Sequence, residues 1–392
     1  MKRRDFVKGA AIAAAGAGAL ALGACGQKEE EKAAVPAETS KTEVPETPAA
    51  PAITKKVREL KMVTTWSKNF PGLGTGAQRL ADSITAMSDG TLTVKLYASG
   101  ELVPAMESFG AVSAGNADMY HGAEYYWQGK HKAFNFFTAV PFGLTANEMD
   151  AWLNYGGGQE LWDELAAGFN LKSFAAGNTG VQMGGWFNKE INTIEDYKGL
   201  KIRMPGLGGE VIRRIGGSAI TLPGSEIYPS LQSGAIDATE WVGPWNDLAQ
   251  GFYKITKFYY YPGFHEPGST LSCGLNKDVW EGLSTDHKAI VQHACQSENN
   301  RMFSEYNAKN GGALDTLINE HGVELRRQSD QILSKIGEAA DSVLAEVGAT
   351  DDISSRIYDN FMSFRKQAMG WTSLSETAYT AARALDEKLG RN

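Results

Sequence analysis

The sequence predicts an α/β protein built as two lobes, and three observations carry that reading. From Leu60 onward apolar residues switch between a period of two and a helical period, the mark of strands followed by helices that cover a sheet. The stretch Val112-Ser113-Ala114-Gly115-Asn116-Ala117-Asp118-Met119 is echoed by Leu231-Gln232-Ser233-Gly234-Ala235-Ile236-Asp237-Ala238, each a helix closed by glycine and a strand carrying an aspartate. At 392 residues the chain also exceeds what one core usually serves.

The first residues concern export rather than fold. Met1-Lys2-Arg3-Arg4-Asp5-Phe6 is a basic start with a twin arginine, and the Ala/Gly-rich run that follows to Leu22 is too short and too weakly apolar to span a membrane. It ends Leu22-Gly23-Ala24-Cys25, which resembles a bacterial lipobox, so residues 1–25 read as an export signal ending in a lipidated Cys25. A cytosolic chain with a frayed Ala-rich helix is the plainer alternative. Residues 26–56 combine Glu29-Glu30-Glu31 with Pro36, Pro45, Pro48 and Pro51, too little apolar surface to fold, and read as a disordered tether. The expected location is therefore periplasmic, reached through a twin-arginine-like signal and touching the membrane only through the lipid anchor.

The body then unfolds in order. Leu60, Met62 and Trp66 lie in a strand; Leu80, Ile84 and Met87 lie in a helix that Asp89-Gly90 stops; Leu92, Val94 and Leu96 form a strand, and Met106, Phe109 and Val112 the next helix. After Met119-Tyr120-His121 comes Glu124-Tyr125-Tyr126-Trp127, adjacent aromatics at a strand end that serve either as a pocket wall with phenol donors or as core filling. Thr145 caps an amphipathic helix through Met149, Trp152 and Leu153, interrupted by Gly156-Gly157-Gly158. That glycine run lacks the strand-loop-helix setting and the Lys-Ser/Thr of a phosphate loop. Leu171 to Ala176 is a strand, and the glycines on both sides of Gln182 allow backbone to approach a ligand there. Phe258 to Tyr261 is a strand whose following loop supplies Glu266, Leu271 to Asn276 is another, and from Ile332 onward the chain is almost wholly helical.

The centre of interest is residues 197–241. Leu200, Ile202 and Met204 mark a short strand that delivers Arg203 to a Pro-Gly turn, and a helix ended by Gly234 leads to a strand finishing in Glu240-Trp241. Taken blind, such an arginine is a surface ion pair and Glu240 and Glu266 are solvated loop charges. Asp237 reads as a partner of backbone amides, and Trp186 and Trp245 as core. A net charge of -8 without a Lys/Arg stripe argues against nucleic acid. The three cysteines, Cys25, Cys273 and Cys295, have no zinc-type spacing, and the last two are either a disulfide or buried free thiols.

At this point the sequence resembles a known family, the DctP-type periplasmic solute receptors of tripartite ATP-independent periplasmic (TRAP) transporters. The resemblance rests on Gly199 to Gly206, on Leu222-Pro223-Gly224-Ser225-Glu226-Ile227-Tyr228 leading to Leu231 through Ala238, and covers about residues 57 to 375. Glu124-Tyr125-Tyr126-Trp127, Ala139 to Thr145 and Glu240-Trp241-Val242-Gly243-Pro244 look like the subgroup that takes 2-oxo acids and related monocarboxylates. The lipobox departs from the usual freely diffusing receptor.

The resemblance implies a two-lobed periplasmic-binding-protein fold of type II-like build, with crossing hinge strands and long C-terminal helices. Lobe I would take residues 57–179 with about 270–310, lobe II 180–269 with about 311–350, and the helix of 351–392 would form a homodimer. Carried over residue by residue, Arg203 would hold the ligand carboxylate, with Tyr125 and Tyr126 lining the pocket. A sodium or calcium ion would bridge ligand and protein through the Gln182 side-chain oxygen, Glu240, the backbone carbonyl of Trp241, and Glu266. Charge supports the cation on its own account: two carboxylates facing a carboxylate ligand repel it, and oxygen ligands select a hard ion. Arginine offers the carboxylate a planar two-bond fork that lysine lacks.

The function expected is thus a non-catalytic receptor for a small pyruvate-like 2-oxo or 2-hydroxy monocarboxylate, delivered to TRAP permease subunits in the membrane. Two other readings stay open on the residues alone. One is an extracytoplasmic hydrolase using Glu240 and Glu266 as an acid/base pair. The other is a lipoprotein sensor that hands its closed form to a signalling partner.

Overall fold

The computed structural model describes residues 57–385; the export signal, Cys25 and the tether lie outside the described residues. The strands are β1 (Arg58–Thr64), β2 (Leu92–Tyr97), β3 (Met119–Gly122), β4 (Leu171–Asn178), β5 (Gly185–Phe187), β6 (Lys201–Arg203), β7 (Ser218–Ile220), β8 (Ala238–Thr239), β9 (Phe258–Tyr261), β10 (Thr270–Asn276) and β11 (Glu324–Arg327). They gather into a five-stranded sheet, order β2-β1-β3-β10-β4, and a six-stranded sheet, order β11-β9-β5-β8-β6-β7. The chain crosses between the sheets after β4, returns after β9 and crosses again after β10, through the long helix that precedes β11. Each strand entered by the first two crossings, β5 and β10, runs antiparallel to both of its neighbours, while the remaining pairs are parallel. β10 is an inner strand of a mixed sheet whose faces are packed by helices, which is why, with every residue buried, it lacks the alternation of a half-exposed strand.

The internal echo is one turn used twice. Gly115 (φ 77°) and Gly234 (φ 74°) both take the left-handed conformation that ends a helix. Asp118 Oδ2 accepts from the Lys61 amide at 2.7 Å and Asp237 Oδ2 from the Lys201 amide at 3.0 Å. In each case the aspartate amide donates back to the same lysine's carbonyl. The aspartates thus satisfy an amide in the middle of β1 and the opening amide of β6, the structural role the sequence suggests for Asp237.

Helices fix the sheets to one another. The 35-residue helix Thr285–Asn319 buries Val291 and Cys295 with Leu60 and Met62 of the first sheet, and Leu317 with Trp186 and Tyr259 of the second. Cys273 and Cys295 are both buried free thiols. Thr145 forms a capping box with Glu148, as its position before an amphipathic run suggests. The helix Asp352–Leu374 packs Phe361 edge-on to Phe136 and Trp152, at 5.1 and 5.0 Å between ring centroids. Past that anchor Met369, Trp371 and Leu374 are exposed. Among the described residues no helix is long and apolar enough to cross a membrane.

One buried acid in the first lobe makes stability depend on pH. Glu124 is fully buried, its Oε1 accepting from Tyr120 Oη at 2.7 Å. Burial pushes its pKa from 4.5 up to about 7, against the lowering effect of the Tyr120 bond. Between those two values the folded state holds a proton the unfolded state has released, so this group's contribution falls as pH rises from 4.5 to 7. The loss is on the order of 3 kcal/mol. Thermal melts of Glu124→Gln should therefore fall less between pH 4.5 and 8 than those of the parent; identical pH profiles would show that Glu124 does not titrate in this way.

Candidate functional site

The first two segments that cross between the sheets are bonded to each other, and this pairing builds the site. Gln182 N donates to Glu266 O at 3.1 Å and Gly263 N to Gln182 O at 2.9 Å. A Cβ on Gly263 would lie 2.5 Å from that Gln182 oxygen, so only glycine permits the approach. The crossing brings side chains together as well: Gln182 Nε2 donates to Glu266 Oε2 at 2.8 Å, and Ser269 Oγ donates to the same carboxylate. From the second sheet, β6 and β8 pair in parallel with Arg203 opposite Thr239, so their ends project Arg203 and Glu240 to the same edge.

None of these charges faces water. Arg203 is 1% exposed, Glu240 0% and Glu266 3%, which excludes the surface ion pair and solvated loop charges that the residues taken blind suggest. Arg203 Nη1 bonds directly to the Glu240 carboxylate, Nε donates to Leu222 O at 3.2 Å and Nη2 to Tyr126 Oη at 3.3 Å. Its guanidinium lies 5.1 Å from the Trp241 ring centroid. The arginine and glutamate that the family resemblance assigns to separate partners are therefore bonded to each other. In a low-dielectric interior an unpaired charge costs several kcal/mol, and direct pairing removes that cost.

With both acids ionised and His265 neutral, two carboxylates face one guanidinium. Burial, then the charge of Glu240, push the Glu266 pKa up to about 7. His265 sits with Nε2 3.2 Å from Glu240 Oε2; burial lowers its pKa, but the bond and charge of Glu240 prevail and raise it. Ligand atoms of Glu240, His265 and Glu266 all lie within 4.8 Å of one another. Beside them Gln182 Oε1 and His265 Nδ1 are buried without a hydrogen-bond partner among the described residues. An orphaned amide oxygen on a residue bonded to one of two clustered, buried carboxylates is a setting a hard cation satisfies, so the residues present fit such an ion.

The first lobe closes over this edge. Tyr126 reaches Arg203, and Tyr125, buried, stands edge-on to it at 4.8 Å. Trp66 and Phe70 meet Trp241 as T-shaped pairs at 6.4 and 6.0 Å. Trp66 Nε1 donates to His121 Nδ1 at 2.9 Å, so the proton of His121 must sit on Nε2, which faces Ala176 O at 3.0 Å. Burial lowers the His121 pKa to about 4, keeping the ring neutral and able to accept that bond. Asn135 Oδ1 accepts from the Leu207 amide at 3.1 Å, and Gly206 (φ +61°) would bring a Cβ to 2.9 Å from the same oxygen.

Gln182, Arg203, Glu240, Trp241 and Glu266, the second-lobe residues singled out from the sequence, thus lie at one seam with Tyr125 and Tyr126 across it. Trp186, stacked on Tyr259 at 4.1 Å and bonded to Asp247, and Trp245, against Tyr306, pack in the core. Sequence reasoning missed four residues. Trp66 and Phe70 follow the carboxyl end of β1, where open parallel sheets place ligand sites, so a signal existed. His265 adjoins Glu266, but neighbours in extended chain face opposite ways, and only the irregular crossing loop turns both inward. Asn135 carried no signal.

Two lobes joined by crossing segments, with a buried charged site at their seam, define an extracytoplasmic solute receptor that closes on a small ligand. Residues 62–351 match the family model described as bacterial extracellular solute-binding protein, family 7 (DctP), and the chain belongs to that family. It is 39% identical to the monocarboxylate 2-oxoacid-binding periplasmic protein of a Nostoc species over 379 residues, 97% of this chain and 98% of the relative. The TRAP periplasmic solute-binding protein of Pseudoalteromonas atlantica, solved with bound sodium and pyruvate, superposes with a TM-score of 0.81 at 39% identity, covering 83% of this chain and 99% of that one. The solute-binding protein of Bordetella bronchiseptica, a mixed-occupancy dimer with calcium and picolinate, does so with a TM-score of 0.82 at 33% identity, covering 84% and 98%. The chain is a periplasmic receptor and not an enzyme, which sets aside the hydrolase reading; Glu240, committed to Arg203, is also poorly placed as a free acid or base.

Proposed function

We propose that this receptor captures a pyruvate-like 2-oxo or 2-hydroxy monocarboxylate together with a sodium or calcium ion and presents the closed complex to TRAP permease subunits. The observation that carries this is the cluster of Glu240, Glu266 and the orphaned Gln182 oxygen beside the single buried guanidinium of Arg203. Gln182, Glu240, Glu266 and the Trp241 backbone carbonyl would hold the ion, with His265 supporting Glu240 from behind. The ion would supply positive charge that lets a carboxylate ligand enter a site already holding two acids. Arg203 would give the ligand carboxylate the donors now spent on the long contacts to Tyr126 and Leu222. Tyr125, Tyr126 and Trp241 would wall the ligand in. The pyruvate and cations of the two solved relatives support the same reading.

The finer organisation is proposed on the same footing. Lobe I takes residues 57–179 with about 270–310 and lobe II 180–269 with about 311–350, a division that the sheet membership of the strands supports. Residues 351–392 form a homodimer, supported by the exposed Met369, Trp371, Leu374 and Tyr379 on the terminal helices and by the dimeric Bordetella relative. Residues 1–25 direct export through the twin-arginine motif, and Cys25 anchors the receptor by a lipid with 26–56 as tether.

Calorimetric titration of 2-oxo and 2-hydroxy acids into the full chain, with and without calcium, tests the function. Saturable binding of short acids, with the acid recovered unchanged and the protein sedimenting as a dimer, is expected. Failure of every short acid to bind would overturn the ligand class, turnover would overturn the receptor, and a monomer would remove the dimer alone.

A further inference from the structure

A second cavity lies in the first lobe, between the helices Ala146–Tyr155 and Thr285–Asn319, floored by Phe174 and Ala175 of β4. Its volume is about 320 Å³, within the range of small-molecule sites. None of its lining residues belongs to the solute site. More than half of them are Asn or Gln, and Asp150 is the only charged one. Such a lining excludes the ordinary ligand classes in turn. An anion finds no cation there, a metal ion finds one carboxylate, and an apolar molecule would strand many amides.

Carboxamides donate and accept at once without charge, and hydroxyl groups do the same. Several of these groups are unspent. Asn299 Nδ2 donates to Asp150 Oδ1 at 3.2 Å, while its own Oδ1 is buried with no partner among the described residues. The side chains of Gln292 and Asn300 make no hydrogen bond among the described residues, and both line the cavity. Asp150 also accepts from Asn154 at 3.2 Å, and burial raises its pKa, so the carboxylate is partly withdrawn from water. At the rim the Tyr155 ring is 93% exposed, an aromatic face able to cover the C–H face of a saturated ring.

We propose that this cavity is a second binding site, for a neutral polyhydroxylated ring such as a sugar or cyclitol, with Asn299, Gln292, Asn300 and Asp150 meeting its hydroxyls and Tyr155 stacking on its apolar face. The site is independent of the carboxylate reading. Side-chain amide resonances of the 15N-labelled full chain, titrated with glucose, N-acetylglucosamine, inositol and the open-chain polyol sorbitol, provide the test. Saturable shifts are expected with the cyclic compounds at millimolar concentration, and weaker ones with sorbitol. Tyr155→Ala and Asn299→Ala should each weaken them about tenfold, with melting temperature held, while Arg203→Lys leaves them unchanged. A chitin-type tetrasaccharide binding tighter than the monosaccharide would assign the source as a glycan strand rather than a free sugar. No saturable shift with any ring, or shifts equal in parent and both cavity variants, would overturn the site. Amide shifts that follow protein concentration without sugar would assign the cavity to contact between copies and overturn it too.

Discussion

Arg203→Lys should lower the affinity for pyruvate roughly a hundredfold, equivalent to about 2–3 kcal/mol. Lysine keeps the positive charge that Glu240 requires but replaces a planar fork with a single ammonium, so the ligand carboxylate loses its paired bonds. The conservative change matters because Arg203 is also structural. It is buried, bonded to Glu240 and braced on Leu222. Arg203→Ala would leave Glu240 buried with only His265 beside it, a loss of about 3–5 kcal/mol in stability, and its failure to bind would not distinguish recognition from unfolding. Calorimetry and thermal melts on the lysine variant separate the two: weak binding with a near-parental melt is expected, and parental affinity would remove Arg203 from ligand recognition.

Removing sodium and calcium should weaken pyruvate binding at least about a hundredfold, because the ligand then faces two buried carboxylates and one guanidinium. Adding back either ion to chelator-treated protein in sodium-free buffer should restore affinity. It should also raise the melting temperature, since an ion bound only by the folded state at a hundred times its Kd stabilises by about 2.7 kcal/mol. Glu266→Gln should abolish the restoration while keeping its hydrogen bond with Gln182 within reach. Pyruvate affinity indifferent to both ions would end the cation bridge and leave Glu240 a plain partner of Arg203.

Much of this protein was legible before the structure. The two periods of hydrophobicity marked the alternating elements, and the echo of residues 112–119 in 231–238 proved to be one turn with one job for Asp118 and Asp237. Arg203, Glu240 and Glu266 stood out because each closes a strand or lies in the loop after one. Their environment was not legible. Nothing in the local sequence distinguishes a solvated glutamate from one at 0% exposure, because burial is set by elements far away in the chain.

The sequence by itself determined the fold class and the residue types from which a carboxylate-and-cation site can be made, since period, turn chemistry and motif order are local properties of a chain. Tertiary structure alone decided who pairs with whom. The bond from Arg203 to Glu240, the approach of His265 to the same carboxylate, and the closing of Trp66, Phe70 and Asn135 over the seam join segments tens to more than a hundred residues apart. They meet because the first two of the chain's crossings between its sheets bond to each other at Gln182 and Glu266. Those contacts depend on how two lobes close in three dimensions, which no stretch of sequence encodes alone.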